Sequence, residues 1–285
     1  MSVDISEPIS ITYPPPSITK NLSFGSPQPF LIGVAGGSSS GKTKVCQKII
    51  STLLEKDRST SVKVVRVRLS DFYRILTKEE LRMANKGCFN FDTPEAIDFV
   101  LFNQFLEKLK NNEVATVPKY DYKNHVRLDQ SNSILNPDVV ILEGIFILYS
   151  KDVRDSLNLK VFVDVDDDDR LASQVLRDTE KFNRKIDYVL NQYVRFVKPG
   201  FEEYILPSKR FADVIIPRGK ANTVAIELLA SHIDDIIALK KSERSHFREK
   251  NLSHSPLRHK SSRDSLKESM QSLNIDNSNY DELMK

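Results

Sequence analysis

Gly36-Gly37-Ser38-Ser39-Ser40-Gly41-Lys42-Thr43 is the stretch from which the rest of the chain is read. It follows the apolar run Phe30-Leu31-Ile32-Gly33-Val34-Ala35 and leads into Val45-Cys46-Gln47-Lys48-Ile49-Ile50, so the local order is strand, tight loop, helix. The pattern is G-x-x-x-x-G-K-[ST], a phosphate-binding loop. Glycine lets the backbone curl until successive N–H groups converge on an anion, and the helix N-terminus that follows adds partial positive charge. Gly36, Gly37, Ser38, Ser39, Ser40 and Gly41 are then expected to cradle phosphates, with Lys42 reaching the outer ones and Thr43 ligating magnesium. A glycine- and serine-rich turn that matches by chance is the competing reading, and the position between a buried strand and a helix counts against it.

Outward from the loop, the pattern is that of an α/β domain. Val62 to Val67 reads as a second strand, ending at Leu69-Ser70-Asp71-Phe72-Tyr73-Arg74 on the carboxyl edge of the sheet, where ligands bind in open parallel sheets. Residues 76–86 and 94–111 carry helical spacing, with a carboxylate-bearing loop, Phe89-Asn90-Phe91-Asp92, between them. Val117 to Arg127 alternates aromatic and polar residues as a short rim hairpin does. Asp138-Val139-Val140-Ile141-Leu142-Glu143 and Leu159 to Asp164 are near-continuous apolar runs, as buried parallel strands are. Helices are expected from Asp167 to Thr179, from Asp187 to Phe201 and from Val224 to Leu239, with a last strand over Ala212 to Pro217. Glu143 stands where an acid holds the magnesium that bridges the β- and γ-phosphates; an N-cap or a salt bridge is its alternative role.

Composition narrows the function classes. The 285 residues, 40% hydrophobic and 28% charged, suit one large soluble domain with tails. A net charge of +3, spread along the chain, argues against nucleic acid. No apolar run is long enough to span a bilayer, and the Ser- and Pro-rich beginning has no secretory pattern, so the cytoplasm is the expected compartment. Cys46 and Cys88 lack metal-ligand spacing. Residues 1–28 and 240–285 are polar and are read as disordered arms around a domain over 29–239.

The phosphate loop, Asp71-Phe72-Tyr73-Arg74, Phe89-Asn90-Phe91-Asp92, Tyr120-Asp121-Tyr122 with His125, Glu143-Gly144-Ile145, Phe196-Val197-Lys198-Pro199 and Ala212 to Gly219 together resemble the uridine-cytidine kinase family. The match runs in order from about Phe30 to Leu239. The resemblance implies a P-loop NTPase-type three-layer fold, with a central parallel sheet, a helical lid and a small β-hairpin for the nucleoside. It implies transfer of the γ-phosphoryl group of ATP, with Mg2+, to the 5′-hydroxyl of uridine or cytidine, and a homo-oligomeric assembly. It also implies that Asp92 holds the ribose, that Tyr120 and His125 read the pyrimidine edge, that Tyr73 and Tyr122 wall the base, and that Arg177, Arg184 and Gln192 complete the substrate site. Those residue types suit the work: a carboxylate accepts from two hydroxyls, and aromatic faces stack on a base.

Two departures bear on catalysis. The family places its base two residues before the Phe-Tyr pair, where this chain has Ser70; Asp71 follows one residue later and could replace it only if the backbone twists, since neighbours on an extended chain point to opposite sides. Of the phosphate-clamping arginines expected at positions 174, 177, 182 and 184, only Arg177 and Arg184 are present, the others being Gln174 and Phe182. A transition-state arginine is worth roughly 10³–10⁵ in rate, so turnover below ordinary kinase rates is expected, with Asp71 as the remaining base. A kinase-like protein that binds nucleotide and nucleoside in a regulatory role is the alternative, and a kinase for another hydroxyl substrate the second.

Overall fold

Strand β1 (Phe30–Gly36) is buried along its whole length, which requires apolar contacts on both faces. In the computed structural model, which describes residues 28–56 and 62–253, it is the middle of a five-stranded sheet of order β2-β5-β1-β6-β7. The other strands are β2 (Val64–Arg68), β5 (Val139–Glu143), β6 (Leu159–Asp164) and β7 (Val214–Pro217). Every pairing is parallel. Strands β3 (Ala115–Asp121) and β4 (Val126–Ile134) form the separate antiparallel hairpin, longer than its alternating stretch predicts; its register shifts at Pro118, which has no N–H for the ladder.

Alternate residues of β1 feed two cores. Leu31 and Ala35 pack with Phe102, Phe105 and Leu109 of α3 (Phe99–Lys110) and Val153 of a short helix α4 (Lys151–Ser156). Phe30, Ile32 and Val34 pack with Val45, Ile49 and Leu53 of α1 (Lys42–Lys56) and with Ile226, Leu229 and Ile233 of α9 (Thr223–Ser253). Sheet and two helix layers make the expected three-layer α/β fold, with the loop after β1, the turn after β2 and Glu143 at the end of β5 all on the carboxyl edge.

Several elements differ from the sequence reading for local reasons. β2 stops at Arg68, and Leu69–Phe72 is one turn of 3₁₀ helix. Neighbours there are about 120° apart instead of pointing oppositely, so Ser70 and Asp71 turn toward one side. The helix expected from residue 94 breaks, because Asp98 caps α3 by accepting from Leu101 N. Thr77 and Glu80 form a capping box that starts α2 (Lys78–Asn85). After α5 (Asp167–Leu176) the lid runs from α6 (Ile186–Gln192) through α7 (Lys198–Gly200) to α8 (Leu206–Ser208), well past Phe201. Wide π turns at Tyr193–Val197 and Phe201–Ile205 precede Pro199 and Pro207, whose rings would collide with the carbonyl four residues back in a tight helix.

The chain divides after Ala238 into two compact units. The first carries the sheet and the hairpin; the described part of the second is helical backbone up to Ser253, within a stretch expected to lack structure. The expected N-terminal arm up to residue 27 and the tail beyond Ser253 lie outside the described residues. Among the described residues no helix is long and apolar enough to cross a membrane.

Candidate active site

The loop after β1 has the curl its glycines permit: Gly36 and Gly41 have φ of 144° and 86°. A Cβ on Gly36 would stand 2.4 Å from the Val163 carbonyl oxygen. Lys42 folds its ammonium back over the loop and donates to the Gly36 and Gly37 carbonyls at 3.0 and 2.8 Å. Burial lowers its pKa from 10.5 to about 8, against the opposing pull of Glu143. The hydroxyl oxygens of Ser39 and Ser40 are buried without a hydrogen-bond partner. Unpaired buried polar atoms are rare, so their presence in a loop of this shape fits a polyphosphate.

Glu143 supplies the acid at the end of β5. Its Oε1 accepts from Thr43 Oγ1 at 3.1 Å and from Arg66 Nη1 at 2.8 Å, while Oε2 is buried with no partner. Both roles read from the sequence are therefore open to it: it is ion-paired, and one oxygen is left beside Thr43 for a cation. Among the described residues no group of three His, Cys, Asp or Glu side chains could hold a metal alone. Such a set fits magnesium, which is commonly bound by one or two protein oxygens together with phosphate.

Asp92 is joined to this loop, its Oδ1 accepting from Ser38 Oγ at 3.1 Å. Burial raises its pKa, while Ser38, Lys42 and Arg177 act the other way. Next to it runs a chain of rings in which Tyr122 meets Tyr120 at 5.3 Å, Tyr120 meets Tyr73 at 5.2 Å, Tyr73 meets Phe91 at 5.1 Å, and Phe91 stacks on His125 at 5.0 Å. His125 sits at φ 56° in the hairpin turn, which Asp121 braces by accepting from the Lys123 and Asn124 amides. Burial and Arg184 lower its pKa, which favours the neutral imidazole. The Tyr120 hydroxyl is buried without a partner, and burial pushes its pKa up to about 12. Burial raises the Tyr73 phenol well above its usual value.

Asp71 lies on the far side of Tyr122, whose hydroxyl donates to it at 2.6 Å; Arg68 grips both of its oxygens at 2.9 and 3.2 Å. In the lid, Asp178 is buried and gathers Arg177 at 2.7 Å and Arg184 at 3.3 Å. Arg177 acts electrostatically on both Lys42 and Asp92. Gln174 is buried with its carbonyl oxygen unpaired, and Phe182 is half exposed under the cations of Lys181 and Arg184. The Gln192 side-chain amide donates to the Gly87 carbonyl, in the segment that leads to Asp92.

Four residues escaped the sequence reading: Arg66, Arg68, Asp178 and Arg170. Arg170 is fully buried under the phosphate loop, with Nε on the Val165 carbonyl at 3.2 Å, Nη2 on Asp167, and its guanidinium 3.6 Å from the Phe201 ring centroid. Its Nη1 has no partner and stands 2.6 Å from where a Cβ on Gly37 would lie. The only signal for Asp178 is its position directly after Arg177, and for Arg170 a place behind the acids of the first turn of α5.

The sequence profile of the Phosphoribulokinase / Uridine kinase family matches residues 31–225. Uridine-cytidine kinase 2-B of Danio rerio is 47% identical over 212 residues, covering 74% of this chain and 81% of that one. Uridine-cytidine kinase B of Dictyostelium discoideum is 41% identical over 224 residues, covering 79% and 89%. D-glycerate 3-kinase from Cryptococcus neoformans, at 17% identity and a TM-score of 0.50 over 68% of this chain and 87% of that one, is similar in fold. With the profile spanning most of the chain and the phosphate loop, Glu143 and Asp92 converging at one sheet edge, this chain belongs to the phosphoribulokinase/uridine kinase family.

Proposed function

We propose that the protein transfers the γ-phosphoryl group of ATP to the 5′-hydroxyl of uridine or cytidine. The observation that carries this reading is the Ser38–Asp92 hydrogen bond, which joins the phosphate loop to the ribose acid, so that donor and acceptor subsites share a wall. The similarity to uridine-cytidine kinases supports the choice of nucleoside. Gly36 to Gly41 bind the phosphates; Lys42 unfolds from its carbonyls onto them. Thr43 and Glu143 would hold magnesium, which would neutralise the phosphate charge when bound. Asp92 accepts from the ribose hydroxyls, Tyr73 and Tyr122 flank the base, and the neutral His125 with the unpartnered Tyr120 hydroxyl reads its edge. Arg177 and Arg184, aligned by Asp178, serve the transferring phosphate.

The test is turnover of uridine and cytidine with ATP and Mg2+, combined with binding to Asp92→Ala. Charge-assisted hydrogen bonds contribute about 1.5–3 kcal/mol each, so losing a pair should weaken uridine binding by about two orders of magnitude or more while ATP affinity stays nearly constant. Equal loss of both ligands would misplace the site. The buried Gln174 and the ring-packed Phe182 favour a second reading, binding with little catalysis, and normal nucleoside binding without product would establish it.

A further inference from the structure

The turn after β2 holds a hydrogen-bond chain with a fixed direction. Ser70 Oγ and the Tyr122 hydroxyl are 2.9 Å apart, and Tyr122 donates to Asp71 Oδ1 at 2.6 Å. A phenol has one proton, and an ionised carboxylate has none to give. Tyr122 spends its proton on Asp71, so in the Ser70–Tyr122 bond it is Ser70 that donates. The chain therefore runs from Ser70 through Tyr122 to Asp71, and it leaves the lone pairs of Ser70 Oγ free.

The two ends differ in access. Asp71 is 7% exposed, whereas Ser70 is partly exposed and Tyr122 is 37% exposed. Asp71 Oδ1 already accepts from Tyr122 and from Arg68 Nη2 at 2.9 Å, which fills its lone pairs, and Oδ2 accepts from Arg68 Nε at 3.2 Å. Of the two ends, Ser70 is the more open to solvent. The Arg68 guanidinium also lies 5.1 Å from the centre of the Tyr122 ring, so one cation holds both partners in register. Burial and the neighbouring Asp71 raise the Tyr122 pKa, so the phenol stays neutral and passes a proton only as it receives one.

We propose that Ser70, Tyr122 and Asp71 form a proton relay that carries the proton of the attacking hydroxyl into the buried carboxylate. This rests on the phosphoryl-transfer reading above. As the nucleoside oxygen bonds to the γ-phosphorus, the bond from that phosphorus to the bridging oxygen breaks and its electron pair leaves with ADP. The nucleoside O–H proton passes to Ser70 Oγ, the Ser70 proton to Tyr122, and the Tyr122 proton to Asp71, which ends as a neutral carboxylic acid. Return of that proton to solvent along the same chain resets the site. Arg68 is a positioning residue that holds the carboxylate in place through two hydrogen bonds.

Single-turnover phosphorylation of uridine, measured for the full-length protein and for Ser70→Ala, Tyr122→Phe and Asp71→Asn, tests the relay. Tyr122→Phe keeps the ring that packs on Tyr120 and removes only the hydroxyl. Each single variant should lower the transfer rate by a similar factor, about 10²–10⁴, with little change in KM for either substrate. The Tyr122→Phe/Asp71→Asn double variant should be no slower than the worse single one, because members of one unit are not additive. In mixed H2O and D2O the wild-type rate should curve with deuterium fraction, reporting several protons in flight, and Tyr122→Phe should lose the curvature. A wild-type rate in Tyr122→Phe beside a slow Asp71→Asn would make Asp71 a direct base and end the relay, leaving the kinase reading intact. A raised KM with unchanged transfer rate in Tyr122→Phe would reduce Tyr122 to a wall of the pocket and also end it. Absence of turnover in the wild-type protein with every nucleoside would overturn the underlying reading instead.

Discussion

Lys42 carries a linkage that can be read in solution. Its folded-state pKa is lowered from 10.5 to about 8 by burial, so above about pH 8 the ligand-free folded chain binds fewer protons than the unfolded one. The burial penalty on the charged form therefore acts in full below that pH and fades as pH rises toward 10.5. Phosphates placed against the ammonium favour the charged form. ATP binding near and above pH 8 should then take up a proton, and affinity should fall by up to about tenfold per pH unit there. Calorimetry in buffers of differing ionisation heat measures the uptake; affinity flat through that range with no proton taken up would refute the linkage. Lys42, Thr43 and Glu143 were singled out by motif position and Asp92 by the family resemblance, so these candidates were nameable before the fold. Arg66, Arg68, Arg170 and Asp178 were not, because their meaning lies in partners that only folding supplies.

At the scale of the element, the start of α2 is fixed by two residues acting reciprocally. Thr77 Oγ1 accepts from Glu80 N at 3.2 Å, Glu80 Oε2 accepts from Thr77 N at 2.9 Å, and Arg74 donates to both Glu80 oxygens at 2.8 and 2.6 Å. Thr77→Ala should cost about 1 kcal/mol in urea denaturation. The Arg74 hydrogen bonds, with the Thr77 amide next, hold the Glu80 carboxyl down from 4.5 to about 2. A depressed acid stabilises the fold above its unfolded pKa, and the contribution is lost as pH falls through the folded value. The stability gap between the wild type and Glu80→Gln should hold near neutrality and shrink between pH 4.5 and about 2; a gap independent of pH would assign the effect to packing. The hydrophobic runs made the central strands legible at this scale. The 3₁₀ turn at Leu69–Phe72 was not, since Leu-Ser-Asp-Phe continues a strand pattern and only the turn brings Ser70 and Asp71 to one side.

For the whole molecule, burial on both faces of β1 sets where substitutions cost most. Ile32, fully buried at the centre of the sheet, should lose about 2–5 kcal/mol on Ile32→Ala, measured by denaturant unfolding. Ile215, 45% exposed on the edge strand β7, should change by about 0.5 kcal/mol or less on Ile215→Ala. Similar losses at the two positions would contradict the layer assignment. The α/β class followed from alternating strands and helices, and the three-layer arrangement from the family resemblance. The order β2-β5-β1-β6-β7 did not, because pairing between strands distant in the chain is decided by the packing of complete faces and leaves no local mark. The chain has nine tyrosines and no tryptophan, and Tyr73, Tyr120 and Tyr122 pack in a row, tilted and edge to face. Its ultraviolet emission is consequently free of indole, and excitation can migrate among touching phenols. A pyrimidine laid against those three rings would quench their share of the tyrosine emission, so the site carries its own optical reporter without any added dye.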